Sequence, residues 1–245
     1  MSTLYSPSIV TDRLVLHLDA ANKKSYPGSG DSWYDRSGNG YNFTSINGPT
    51  YSNGAFVFDG SNDYFHSPYS TTTTDNFHWT PDGSVGSDTM TYEVWYKTSE
   101  TDGGLVLSHP WNGNGQYNIL IYSSGTVNVH SYNGNFSYSY TGSGLNDGSW
   151  HSVTLCLDST TLAVYDDGEL RASVSHGRTG GAGTVGNSAN LRLVLMSLYP
   201  YGGGWGGHTG FSVDGELAIT RIYQKTLTAA EVLQNFNSTK SRFGL

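Results

Sequence analysis

Residues 211–236, FSVDGELAITRIYQKTLTAAEVLQNF, decide the fold. Phe211 and Val213 are apolar at alternate positions, Asp214-Gly215 offers a turn or bulge, and residues 217–223 are apolar or β-branched on both faces, the pattern of a buried strand. A helix follows. Thr228 caps it, Glu231 three positions on closes a capping box, and Leu227 with Val232 has the spacing of a hydrophobic staple. Val232, Leu233 and Phe236 give this helix an apolar stripe of about three turns, too short to stand alone. It must dock on a body built elsewhere in the chain, and that body is read as β structure.

At 245 residues the chain has room for one large β domain. With 32 glycines, 18 tyrosines and only 13% charged residues, it suits short strands joined by polar, glycine-containing turns. Twelve basic residues against twenty acidic ones give a net charge of -8. That balance leaves no large cationic surface for phosphates, so nucleic acid is not an expected partner. The single Cys156 lies in the apolar run SVTLCLD and is expected to be buried and inert, with no disulfide framework. No basic segment followed by an apolar run opens the chain, and no stretch approaches about 18 apolar residues. The expectation is a protein made in the cytoplasm without a signal peptide and not inserted in a membrane.

Strands are expected at 14–18, 54–58 with resumption at 64–65 after DGSND, and 89–97, the last apolar on both faces like a central strand. Trp33, in the turn-rich segment 31–41, is read as an anchor of that loop against the core. Segments 104–109, 117–122, 126–131 and 135–140 have the spacing of an antiparallel meander, followed by strands at 150–158 and 162–165. Asp167-Gly168 signals a two-residue hairpin, because a type I′ turn needs positive φ. A strand at 191–196 precedes the closing one. About a dozen strands and one helix, without β-α alternation, argue for a two-sheet sandwich.

Seven ordered motifs carry a resemblance: LVLHLDA (14–20), SWYDRSGNGYN (32–42), FVFDGSNDY (56–64), TYEVWYK (91–97), SWHSVTLCLD (149–158), VYDDGEL (164–170) and GELAITRIYQKTLTAAEVLQNF (215–236). Together they resemble the laminin-G-like, concanavalin-A-like jelly-roll domains, in the form found in structural proteins of tailed phages. The resemblance implies an all-β jelly roll of two antiparallel sheets over residues 1–245, with an arm at 1–11 and a tail at 238–245. It also implies a non-enzymatic virion component, a capsid decoration or a tail or neck appendage, released by lysis. Its partners would be other virion proteins or host-surface glycans, met by several copies on a particle. A glycan-binding lectin or adhesin is the alternative and a carbohydrate-active hydrolase a third, since this fold hosts all three.

Hydrolase chemistry lacks its residues. Glucanases of this fold carry E-x-D-x-x-E on one strand; Glu100-Thr101-Asp102 begins the pattern, but position 105 is Leu, so the second carboxylate is missing. Isolated His17, His151 and His208 are read as strand or loop residues rather than metal ligands. Calcium is left unassigned. Asp59, Asp63 and Asp214 lie nearest the motif turns, but Asp before Gly caps its own turn, and no segment supplies the six to eight or so oxygens that calcium takes. The sharpest candidate for a ligand or partner contact is 199–208, YPYGGGWGGH, where Tyr199, Tyr201, Trp205 and His208 sit in glycine-rich backbone. Rings there stack on sugars, pack on a neighbouring subunit, or simply cover the end of the sandwich. Trp111, Tyr132, Phe136, Tyr138 and Tyr140 join them if their loops share a rim.

Overall fold

The computed structural model describes residues 8–68, 77, 87–101, 103–109, 117–131, 137–142, 144–176, 192–198 and 211–245. In chain order the strands are β1 (Leu14–Asp19), β2 (Ser32–Trp33), β3 (Phe43–Ile46), β4 (Thr50–Ser52), β5 (Ala55–Asp59), β6 (Tyr64–His66), β7 (Met90–Thr98) and β8 (Leu105–His109). They continue with β9 (Tyr117–Tyr122), β10 (Val127–Ser131), β11 (Ser137–Tyr140), β12 (Trp150–Leu157), β13 (Thr161–Asp166), β14 (Glu169–Ser175), β15 (Val194–Leu195) and β16 (Asp214–Tyr223). One helix, α1 (Ala229–Thr239), ends in the 3-10 turn Lys240–Phe243. Two antiparallel sheets result, ordered β14-β13-β12-β7-β16-β5-β4 with β1 also on β16, and β11-β10-β9-β8-β15-β6-β3-β2. This is the expected jelly roll.

The core lies between the sheets. Tyr92, Val94 and Tyr96 of β7 alternate into it and meet Leu107, Ile119, Ile121 and Val129 of the second sheet in one cluster. Trp33 is fully buried and packs edge-on to Phe56 and Phe65, with ring centroids at 4.8 and 5.2 Å. So the tryptophan anchors its loop as expected. That loop also closes the β1 edge, because Asp35 Oδ1 accepts from the His17 amide at 3.0 Å and Ser37 Oγ donates to the Val15 carbonyl at 2.9 Å. A covered edge offers no free ladder to another chain.

Two details of the closing segment differ from the sequence pattern. Phe211–Val213 is not strand, and Asp214-Gly215 does not turn: both residues open β16, and the register shift falls between Leu217 and Ile219. Gly215 is there for close approach, since a Cβ would come within 2.6 Å of the Lys97 carbonyl oxygen. The strand expected at 191–196 contracts to Val194–Leu195.

The helix begins as its sequence specifies. Thr228 Oγ1 accepts from the Glu231 amide at 3.3 Å, and the Glu231 carboxylate accepts from the Thr228 amide at 2.9 Å. Leu227 and Val232 are buried together with Tyr223 and Cys156. The docking face is more polar than the apolar stripe suggests: Leu233 is exposed, whereas Asn235 and Thr239 are buried. Asn235 donates to Glu93 Oε2 and to the Tyr223 hydroxyl, both at 2.9 Å, and Arg221 spans from Glu93 Oε1 (2.6 Å) to Thr239 Oγ1 (3.1 Å). Phe236 and Phe243 stack on the indole of Trp95 at 5.5 and 4.9 Å. The helix therefore seals the outer face of the first sheet. Thr228→Ala is expected to cost about 1 kcal/mol through loss of the cap. The urea midpoint at constant slope measures it, and an unchanged midpoint would mean that helix initiation contributes nothing.

Cys156 is buried, and burial pushes its thiol up to about 12. It is inert at neutral pH.

Candidate functional site

The antiparallel registers fix where the long connections are anchored. The C-terminal ends of β6, β8 and β10 and the N-terminal ends of β9, β11 and β15 lie at one end of the second sheet. Connections 69–86, 110–116, 132–136 and 177–191 depart from or arrive at this end, whereas 199–210 joins the C-terminal end of β15 to the N-terminal end of β16, at the opposite end. Tyr199, Tyr201, Trp205, His208 and Trp111 all lie outside the described residues, as do Tyr132 and Phe136. Their anchor points are thus at opposite ends of the sandwich for Trp111 and for the 199–208 group. Tyr138 and Tyr140 of β11 are half-buried against the core.

A polar cluster that the sequence did not single out occupies the end from which β14 starts. His151, at the start of β12, faces a carboxylate at each ring nitrogen: Asp167 Oδ2 lies 2.8 Å from Nδ1, and Asp147 Oδ1 lies 3.2 Å from Nε2. These hydrogen bonds, that to Asp167 foremost, hold the imidazole above its ordinary value of 6.5. Beside it Asp166, buried at 4% exposure, accepts from the Tyr140 hydroxyl at 2.9 Å, a bond that ties the edge strand of the second sheet to β13 of the first. Arg171 Nε stands 3.9 Å from the same carboxylate. Burial holds the Asp166 carboxyl above the usual carboxylate range. Among the described residues, its Oδ1 and the fully buried Tyr96 hydroxyl find no hydrogen-bond partner. The only sequence hints were Asp147 four residues before His151 and the doubled Asp166-Asp167 ahead of Gly168. The latter does make the expected hairpin, with φ of 51° at Asp167 and 80° at Gly168.

At the other end, an open cleft of about 470 Å³ is formed where β1 and β7 begin and β16 ends, lined by Asp12, Arg13, Ser87, Thr89, Lys225 and Thr226 among others. Lys225 is held there by Asp12 at 3.0 Å and Glu231 at 2.5 Å. Among the described residues no three His, Cys, Asp or Glu side chains are gathered to hold a metal ion. Asp59 caps its own turn, accepting from the Ser61 amide at 2.8 Å. His17 is half-buried in β1, and desolvation of its ring lowers it to about 4, so it stays neutral. Glu93, the one carboxylate of the central strand β7, is 2% exposed and closed under α1 by Arg221, Trp95 and Asn235.

The chain is similar to several solved binding domains. The binding domain of Paraclostridial mosquitocidal protein 1 shares 15% identity at a TM-score of 0.66, with 93% of this chain and 52% of that one covered. A structure of botulinum neurotoxin type C, whose cell entry depends on interaction with two ganglioside molecules, gives 12%, 0.63, 94% and 52%. The binding domain of botulinum neurotoxin DC in complex with rat synaptotagmin II gives 14%, 0.64, 94% and 52%. At these identities the likeness is one of fold, and the chain spans about half the length of the structures it matches. No curated protein is significantly similar in sequence. A laminin G family model matches residues 59–233, from the end of β5 into α1. The chain belongs to the concanavalin A-like lectin/glucanases superfamily.

Proposed function

We propose that this protein is a non-enzymatic contact module of a tailed-phage virion, a capsid decoration or a tail or neck appendage carried in several copies. One observation carries the contact role. The connections 69–86, 110–116, 132–136, 177–191 and 199–210 each start or end on the second sheet, while α1 packs on the outer face of the first. A rigid sandwich that anchors long connections on one sheet is suited to surface recognition. The absence of the E-x-D-x-x-E pattern and the sealed position of Glu93 support a non-catalytic role. Tyr199, Tyr201, Trp205 and His208 are the proposed contact residues, with Trp111 on a separate anchor, and the arm 1–11 and the tail 238–245 are proposed as further contacts. Several copies on one particle would add avidity to weak single contacts. No helix among the described residues is long and apolar enough to cross a membrane.

Glycan binding is the second reading, favoured by the likeness to a ganglioside-dependent toxin domain. Mass spectrometry of purified particles is expected to find the protein in multiple copies, and its absence would remove the virion role. A glycan array probed with and without calcium separates lectin from protein contact. Turnover of any polysaccharide would overturn the non-enzymatic reading.

A further inference from the structure

A neutral imidazole carries one N–H, and a carboxylate accepts without donating. His151 stands between two carboxylates, at 2.8 and 3.2 Å, so both hydrogen bonds form together only when the ring is an imidazolium. The two partners belong to different parts of the fold. Asp147 sits in the connection from β11 to β12, and Asp167 begins the hairpin between β13 and β14. We propose that His151 is a proton-operated latch, which as an imidazolium clamps the β11–β12 connection to the β13–β14 hairpin and on losing its proton releases the Asp147 arm.

Geometry decides which arm lets go. Asp167 is fixed twice more, its Oδ1 accepting from the Ser152 amide at 2.8 Å and its amide donating to the Ser152 carbonyl at 2.9 Å. Asp147 is more exposed, at 53% against 27%, and its Oδ1 also accepts from the Ser149 amide at 2.7 Å. A neutral ring keeps its N–H on the shorter bond to Asp167. Its bare Nε2 then faces Asp147 lone pair to lone pair, and the carboxylate swings toward solvent with the Ser149 bond loosened.

The carboxylates around the ring favour its charged form. Asp166 and Asp167 from the β13 end, Asp147 from the connection, Tyr96 from β7, Tyr140 from β11 and Arg171 from β14 face this corner. Burial of the ring opposes its charge, and the two carboxylates outweigh it. Hydrogen bonding to Asp167 raises the His151 pKa above 6.5, so the latch contributes fully below that value and is lost as pH rises through the folded-state pKa. Asp166, raised by burial, also favours the fold as pH falls through its own folded pKa. Asp147 is held below the usual carboxylate range by the Ser149 amide and stays charged throughout.

The test is an NMR titration of the histidine ring with amide exchange in the full chain. His151 should titrate above an ordinary histidine, and the protection factor of the Ser149 amide should fall about fivefold across that titration, the equivalent of one net hydrogen bond. In Asp147→Ala the shared acceptor of the ring and of the Ser149 amide is gone, so the exchange step should vanish and the His151 titration should move toward that of an ordinary histidine. His151→Gln removes the titration and should abolish the step as well. A ring that titrates at or below an ordinary histidine, or a step that persists unchanged in either variant, would overturn the latch.

Discussion

Glu93→Ala should destabilise the protein by about 3–5 kcal/mol, a large part of the whole stability of a typical domain. The variant leaves Arg221, itself only 3% exposed, as an unpaired cation between β16 and α1, and it strips partners from Trp95 Nε1 and Asn235 Nδ2. Trp95 Nε1 loses its carboxylate partner, whereas Asn235 Nδ2 keeps the Tyr223 hydroxyl, so the unmet hydrogen bonding falls within that range. The pair itself need not be a net source of stability, because desolvating two charges offsets their attraction. Glu93→Leu combined with Arg221→Leu is therefore expected to be milder than Glu93→Ala alone, while still weaker than wild type, since Asn235 and Thr239 lose their partners. Urea denaturation of the single and double variants decides it. Changes below about 0.5 kcal/mol in all of them would mean that this cluster does not hold the helix to the sheet.

That cluster marks the boundary of what the sequence makes legible. The capping box and staple of α1 are local patterns, contained within Leu227–Val232, and local patterns survive folding unchanged. The strand periodicities of β1, β5, β7 and β12 and the Asp167-Gly168 turn are of the same kind. The polar docking of α1 is not, because Glu93 meets Arg221 and Asn235 across 128 and 142 residues of chain. An apolar stripe through Leu233 is the natural expectation when those partners are invisible. Asp214-Gly215 has turn chemistry, yet it lies inside β16, where the missing Cβ lets the Lys97 carbonyl pass. A glycine does either service, and only the neighbouring strand decides.

Site chemistry was less legible for the same reason. His151 reads as an isolated strand residue because its two carboxylates come from a loop before it and a hairpin after it. Asp166 reads as part of a turn signal, although its partner Tyr140 is on the other sheet. Glycine-rich aromatic loops, by contrast, announce themselves in composition alone. Composition does not say what the rings touch.

Changing Tyr201 and Trp205 together to Ala should abolish attachment to a particle, neighbour or glycan while altering stability by less than about 0.5 kcal/mol. The expectation rests on how 199–210 is tethered. Both flanks are fixed by the core: Ser197 and Ser212 share a hydroxyl contact at 3.2 Å, Ser212 also donates to the Ser61 carbonyl at 3.0 Å, and the Val213 amide donates to the Met196 carbonyl at 3.1 Å. Between these flanks six glycines at positions 202–210 leave the backbone without side chains that would prevent close approach to a partner. Aromatic rings on such a segment supply a large share of contact energy when they enter a partner's pocket, so truncating two of them removes far more binding than fold stability. Attachment to purified particles or immobilised glycans is measured beside a thermal melt. A large fall in melting temperature would show the rings to be lids of the core, and unchanged attachment at unchanged stability would transfer the contact role to the stretch 69–88.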